Sequence, residues 1–104
     1  MQIELYIDGK KKVFTTPFVP MLAKRKYLEL MAKIEDRGEK VPLYKEQLEY
    51  DIEMFSILSD IVFNRQFTVE QLYAGAEEEY VHKKLREAIF GIPSEDDKGN
   101  EQGK

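Results

Sequence analysis

LYKEQLEYDIEMFSILSDIVF, residues 43–63, is the stretch that decides the fold. It contains no glycine or proline, and its apolar residues recur every three to four positions, the period of an amphipathic helix. Leu48, Ile52, Phe55, Ser59 and Val62 form one stripe. Met54, Ile57, Leu58 and Ile61 form a second beside it. A surface helix needs one apolar stripe. Two make the second half of this helix apolar over most of its circumference. Either the helix runs through the centre of the domain, or one stripe meets another molecule.

Upstream, RGEKVP (37–42) reads as a polar connection, with Gly38 and Pro42 as breakers. A further helix is expected from Met21 to about Asp36, with Tyr27, Leu28, Met31 and Ile34 on one face. Before it comes IELYIDGKKKVFTTPFVP, residues 3–20. Ile3, Leu5 and Ile7 alternate with polar neighbours, the period of a half-buried strand. Asp8-Gly9 marks a turn, and Val13–Thr16 reads as the returning strand. A strict two-residue turn sets Lys10 and Lys12 opposite Ile7 and Leu5. A bulged loop sets Val13 opposite Leu5, and the hydrophobic pattern favours it. A lone hairpin is marginal in water, so this one must lie on helices or extend a neighbour's sheet.

Downstream, FNRQFTVEQLYAG (63–75) ends one helix and caps another. Thr68 and Gln71 form a capping-box pattern for a short helix ending near Gly75. Glu77, Glu78 and Glu79 open a last helix, where carboxylates suit the positive end of the dipole. Its apolar face is Tyr80, Val81, Leu85, Ala88 and Ile89, and Gly91 and Pro93 stop it. The expected fold is mainly α: one domain over residues 1–93, about four helices with an N-terminal β-hairpin (1–16). Residues 94–104, SEDDKGNEQGK, contain nothing apolar and are expected to be a disordered acidic tail.

The chain has 104 residues, no cysteine and a net charge of −4. Disulfides and thiolate metal sites are excluded. No apolar run approaches the ~20 residues of a membrane span, and no signal-peptide pattern is present, so the expectation is a soluble cytoplasmic protein with no membrane partner. Charge is unevenly placed. Lys10–Lys12 and Lys24, Arg25 and Lys26 make the first quarter basic; Glu46, Glu49, Asp51, Glu53 and Asp60 make the middle acidic. This asymmetry reads as two solvated faces that attract each other within one fold or between copies, or as a docking patch for a charged partner; self-association is expected.

Little here performs chemistry. His82, the one histidine, has Glu78 four residues before it but no second histidine or cysteine to complete a metal site. No glycine-rich phosphate loop occurs. The Thr68 helix, Gly75 and the last helix have helix-turn-helix spacing, but the second helix would present Glu77–Glu79 to phosphates, which argues against nucleic acid. No enzyme activity, cofactor or metal is expected. The partner-binding candidates are Met54, Ile57, Leu58 and Ile61, with the cations Lys24, Arg25 and Lys26.

The hairpin with its Thr-Pro turn, followed by a helix and later by FNRQFTVEQLYAG, resembles the small tail assembly chaperones of long-tailed bacteriophages of Gram-positive hosts, over roughly residues 2–91. The resemblance implies a non-catalytic protein of the host cytoplasm, absent from the mature virion. Such a protein coats the tape measure protein and keeps it soluble until the tail tube protein polymerises around it. It also implies a longer form, made by programmed frameshifting, that recruits the tube subunit. Gln102-Gly103-Lys104 permits a slippery site if the codons read G-GGA-AAN, with the tail from Ser94 then serving as linker. A small structural head–tail or tail component, or a helical regulatory module, is the alternative. Gene order separates them, since a chaperone gene lies between the tube and tape measure genes.

Overall fold

The computed structural model describes residues 1–38 and 43–91. The expected acidic tail, the slippery site and most of the RGEKVP connection lie outside them. The chain forms β1 (Gln2–Ile7), β2 (Lys10–Thr15), α1 (Met21–Asp36), α2 (Tyr44–Ser56), a π-helical segment (Ile57–Val62), α3 (Val69–Gly75) and α4 (Glu78–Phe90). It is mainly α with an N-terminal antiparallel hairpin, as the periodicities require.

The hairpin takes the strict register, with Leu5 opposite Lys12 and Ile7 opposite Lys10, not the bulged one. Asp8 (φ 54°) and Gly9 (φ 78°) are both left-handed, which the tight two-residue turn demands. Lysines opposite core residues are tolerated because β1 alone lies on the helices. Ile3 and Leu5 are fully buried, whereas most of β2 is exposed. From β2 only Phe14 returns to the core, its ring 5.1 Å from that of Phe67.

The unpaired edge of β1 is closed by helices. The Glu4 N–H donates to the Tyr80 hydroxyl at 2.9 Å. Gly75, buried at the end of α3, lies against the Tyr6 backbone so closely that a Cβ would stand 2.5 Å from the Tyr6 oxygen. Gln66 Nε2 donates to the Thr15 carbonyl at 2.8 Å and ties down β2. The capping box forms as the sequence predicts: the Gln71 N–H donates to Thr68 Oγ1 at 3.1 Å, and Gln71 Oε1 accepts from the Thr68 N–H at 2.9 Å.

The long helix differs from expectation in its second half. From Ile57 it widens into a π-helix, with the Phe63 N–H donating to the Leu58 carbonyl. Each wider turn holds an extra residue, so Ile57, Leu58, Ser59 and Val62 are all buried together. Phe63 and Phe67 complete this layer, and Val81, Leu85 and Ile89 of α4 close the core. On α1, Ala23 and Leu30 face inward with Tyr27, Met31 and Ile34 half-buried; Leu28, expected on that face, is exposed.

Candidate partner-binding surface

α1 and the π segment flank a groove of about 420 Å³. Leu30, Ile52, Ile57 and Ile61 line it, edged by Lys26, Glu29, Lys33, Glu53 and Asp60. Lys33 Nζ donates to Glu53 Oε1 at 2.9 Å across it. That hydrogen bond, with the carboxylate's charge, holds the Lys33 ammonium above the usual lysine range. Glu29 accepts from Arg25 Nε at 3.1 Å and lies 3.5 Å from Lys26 Nζ, and these cations hold its carboxyl below the usual range. All these groups are exposed, so the pairs position side chains more than they stabilise the fold.

A second groove, about 690 Å³, lies at the other side of α1. Val19, Pro20, Met21, Leu28 and Ala32 meet Ala88 and Ile89 of α4, with Lys24, Arg25 and Glu29 among them. Met21 is 91% exposed. Tyr27 and Phe90 meet edge to face, 5.3 Å between centroids, and Lys24 Nζ lies 6.0 Å from the Phe90 ring. α1 begins after Pro20 with no side-chain cap and no acid in its first turn.

The N-terminal half of α2 carries a third apolar face. Phe55 is core, packed edge to face on Tyr73 and beside His82. Two turns earlier on the same side, Leu48 is 63% exposed, and Tyr44 before it is 90% exposed. Burial, and secondarily the charge of Asp51, pushes the Tyr73 hydroxyl above its usual pKa.

The sequence candidates are thus divided. Ile57 and Leu58 are inside the monomer core. Met54 and Ile61 are half-buried and pack against that core. Ile57, Ile61 and Lys26 share the first groove, whereas Lys24 and Arg25 belong to the second. The sequence reading did not select Met21, Leu28, Tyr44 and Leu48 as contact residues. Leu48 was within a recognised stripe, but nothing local distinguishes a covered turn of that stripe from a bare one.

His82 Nε2 lies 3.6 Å from Glu78 Oε2, half-exposed. Among the described residues, no three His, Cys, Asp or Glu side chains come together as metal ligands, and no helix is long and apolar enough to cross a membrane. The chemistry on offer is apolar surface edged with charge, which defines a small helical binding domain. The family model for phage tail chaperone proteins matches residues 1–104, and the chain belongs to that family. Neither the curated proteins nor the solved structures contain a match to it.

Proposed function

We propose that this tail chaperone acts on the tape measure protein: several copies cover its apolar helical segments and keep it soluble until the tail tube protein assembles around it. Membership of the tail chaperone family over the whole chain carries the reading. The surface agrees with it. A client whose apolar stripes would aggregate needs apolar grooves with charged rims, many weak contacts and no catalysis. The groove between α1 and the π segment has that character, with Ile57 and Ile61 at its base and Lys26 at its edge. Work of this kind belongs to the host cytoplasm and ends before the virion is complete. A frameshifted longer form would recruit the tube subunit.

Co-expression with the cognate tape measure protein tests this. The expected result is a higher soluble yield of that protein and a complex on size exclusion, both reduced by Ile61→Ser with Lys26→Glu. Unchanged solubility with no complex refutes the reading.

A further inference from the structure

We infer that the cleft where α2, α3 and α4 meet takes an arginine side chain presented by a partner protein. The cleft shares no residue with the groove proposed for the tape measure protein, so neither reading depends on the other.

Three observations carry it. The first is shape. The cleft holds about 300 Å³, the low end of the size range of ligand pockets, which is room for a side chain rather than a cofactor. The core residues Phe55, Leu72 and Val81 form its floor. Tyr73, 49% exposed, walls it and meets Phe55 edge to face. Such a floor suits the apolar stem of a long cation, and such a ring suits its planar head.

The second is charge. Asp51 precedes Phe55 by one turn of α2, and Glu78 precedes Val81 by one turn of α4, so both carboxylates stand beside the same apolar floor. Among the described residues, no lysine or arginine lines the cleft. Asp51 Oδ1 accepts from Gln47 Nε2 at 2.9 Å, a neutral donor that leaves the charge in place. That charge reaches Tyr73, whose hydroxyl is held above its usual range by burial first and Asp51 second. Glu78 Oε2 lies 3.6 Å from His82 Nε2, an ion pair only when the imidazole is protonated.

The third is contrast with a neighbouring cleft of about 480 Å³, which shares Ala76 with the first and is lined by Glu4, Tyr6, Glu77 and Tyr80. There the chain answers its own charges. Lys11 Nζ lies 3.8 Å from Glu4, and Lys84 Nζ lies 5.7 Å from the centre of the Tyr80 ring. Two tyrosine-walled clefts carry the same kind of rim, and the one without an internal cation is the one an external cation fits. Arginine fits better than lysine. Its planar, weakly hydrated guanidinium stacks on a ring and forks between carboxylates on two different helices.

Amide NMR titration of the full chain tests this with the blocked tripeptide Ac-Ala-Arg-Ala-NH2 and its lysine and citrulline counterparts. The arginine probe is expected to shift the amides of Tyr73, Ala76 and Val81 and to saturate. Asp51→Asn/Glu78→Gln should bind it at least about tenfold more weakly, the loss of one charged hydrogen bond. The uncharged citrulline probe should lose as much on the wild type, and the lysine probe should bind more weakly than arginine. Glu4→Gln/Glu77→Gln, in the neighbouring cleft, should bind like the wild type. All four side chains reach the surface, so thermal melts should confirm that both variants fold. No saturable shift overturns the inference, as does equal binding of the citrulline or lysine probe. Equal losses in the two double variants also overturn it, because they mark unspecific attraction to an acidic protein. So do cleft amides that move on dilution of the protein alone, as they would if a second copy's arginine filled the cleft.

Discussion

Gly75→Ala is a one-atom test of how the hairpin is held. The new Cβ would stand 2.5 Å from the Tyr6 carbonyl oxygen and 3.1 Å from the Tyr6 nitrogen. Both are backbone atoms, so no side chain can swing aside. Restoring ordinary contact moves β1 away from α3 by about 0.9 Å, enough to loosen the packing of Ile3 and Leu5 on Leu72. Overpacking of this kind costs about 1–3 kcal/mol. The higher helix propensity of alanine returns at most about 1 kcal/mol, and less at the last residue of a helix. The net loss should be about 1–2 kcal/mol, lowering Tm by roughly 5–15 °C in a domain this small. Circular dichroism melts of Gly75→Ala measure it, with exposed Ala74→Gly as the control for propensity alone. Amide exchange adds a local readout: the Glu4 N–H should lose protection as its bond to Tyr80 lengthens. A Gly75→Ala protein as stable as the wild type, with Glu4 still protected, would refute the close approach.

Arg65 has φ 65°, a left-handed conformation that glycine adopts without strain, so Arg65→Gly should stabilise by about 0.5–1 kcal/mol in urea titration. A loss of stability there would mean the guanidinium makes a contact worth more than the strain. Thr68→Ala removes the acceptor for the Gln71 N–H and should cost about 1 kcal/mol, while Thr68→Ser should restore most of it. Ile57→Asp buries a carboxylate in the π segment and should unfold the domain, whereas Leu48→Asp on the bare face should leave Tm nearly unchanged. Equal melts for those two variants would show that the assignment of inside and outside along this helix is wrong.

The elements themselves were legible in the sequence because local signals mark them. Met21–Asp36 has helical periodicity without breakers, and Thr68 and Gln71 cap each other within a single turn. What escaped was set by distant partners. The hairpin register looked better with a bulge only on the assumption that both strands cover the core. β1 lies on α3 while β2 overhangs, so Lys12 opposite Leu5 reaches solvent. The π-helix leaves no periodic trace in six residues, yet it explains why both stripes can be buried at once between Ile57 and Val62. Gly75 read as a helix end; its closeness to Tyr6, 69 positions earlier, has no local signature.

The binding surface was harder to read for a related reason. Periodicity tells which side of a helix is apolar; it does not tell how far along that side the rest of the domain extends. From Phe55 onward the inner side of the long helix is covered by α1, α3 and α4, and earlier, at Leu48 and Tyr44, the same side continues bare. Of the residues chosen from sequence as partner-binding, Ile57 and Leu58 lie on the covered part, Met54 and Ile61 are half-buried, and Lys24, Arg25 and Lys26 are exposed; Ile57, Ile61 and Lys26 line the groove beside α1. On α1, Met21, Lys24 and Arg25 are likewise exposed, with Arg25 paired to Glu29. Which apolar turns stay at the surface is therefore decided by where α1, α3 and α4 end against the long helix, a property of the packed chain that a stripe of residues read along one helix does not carry.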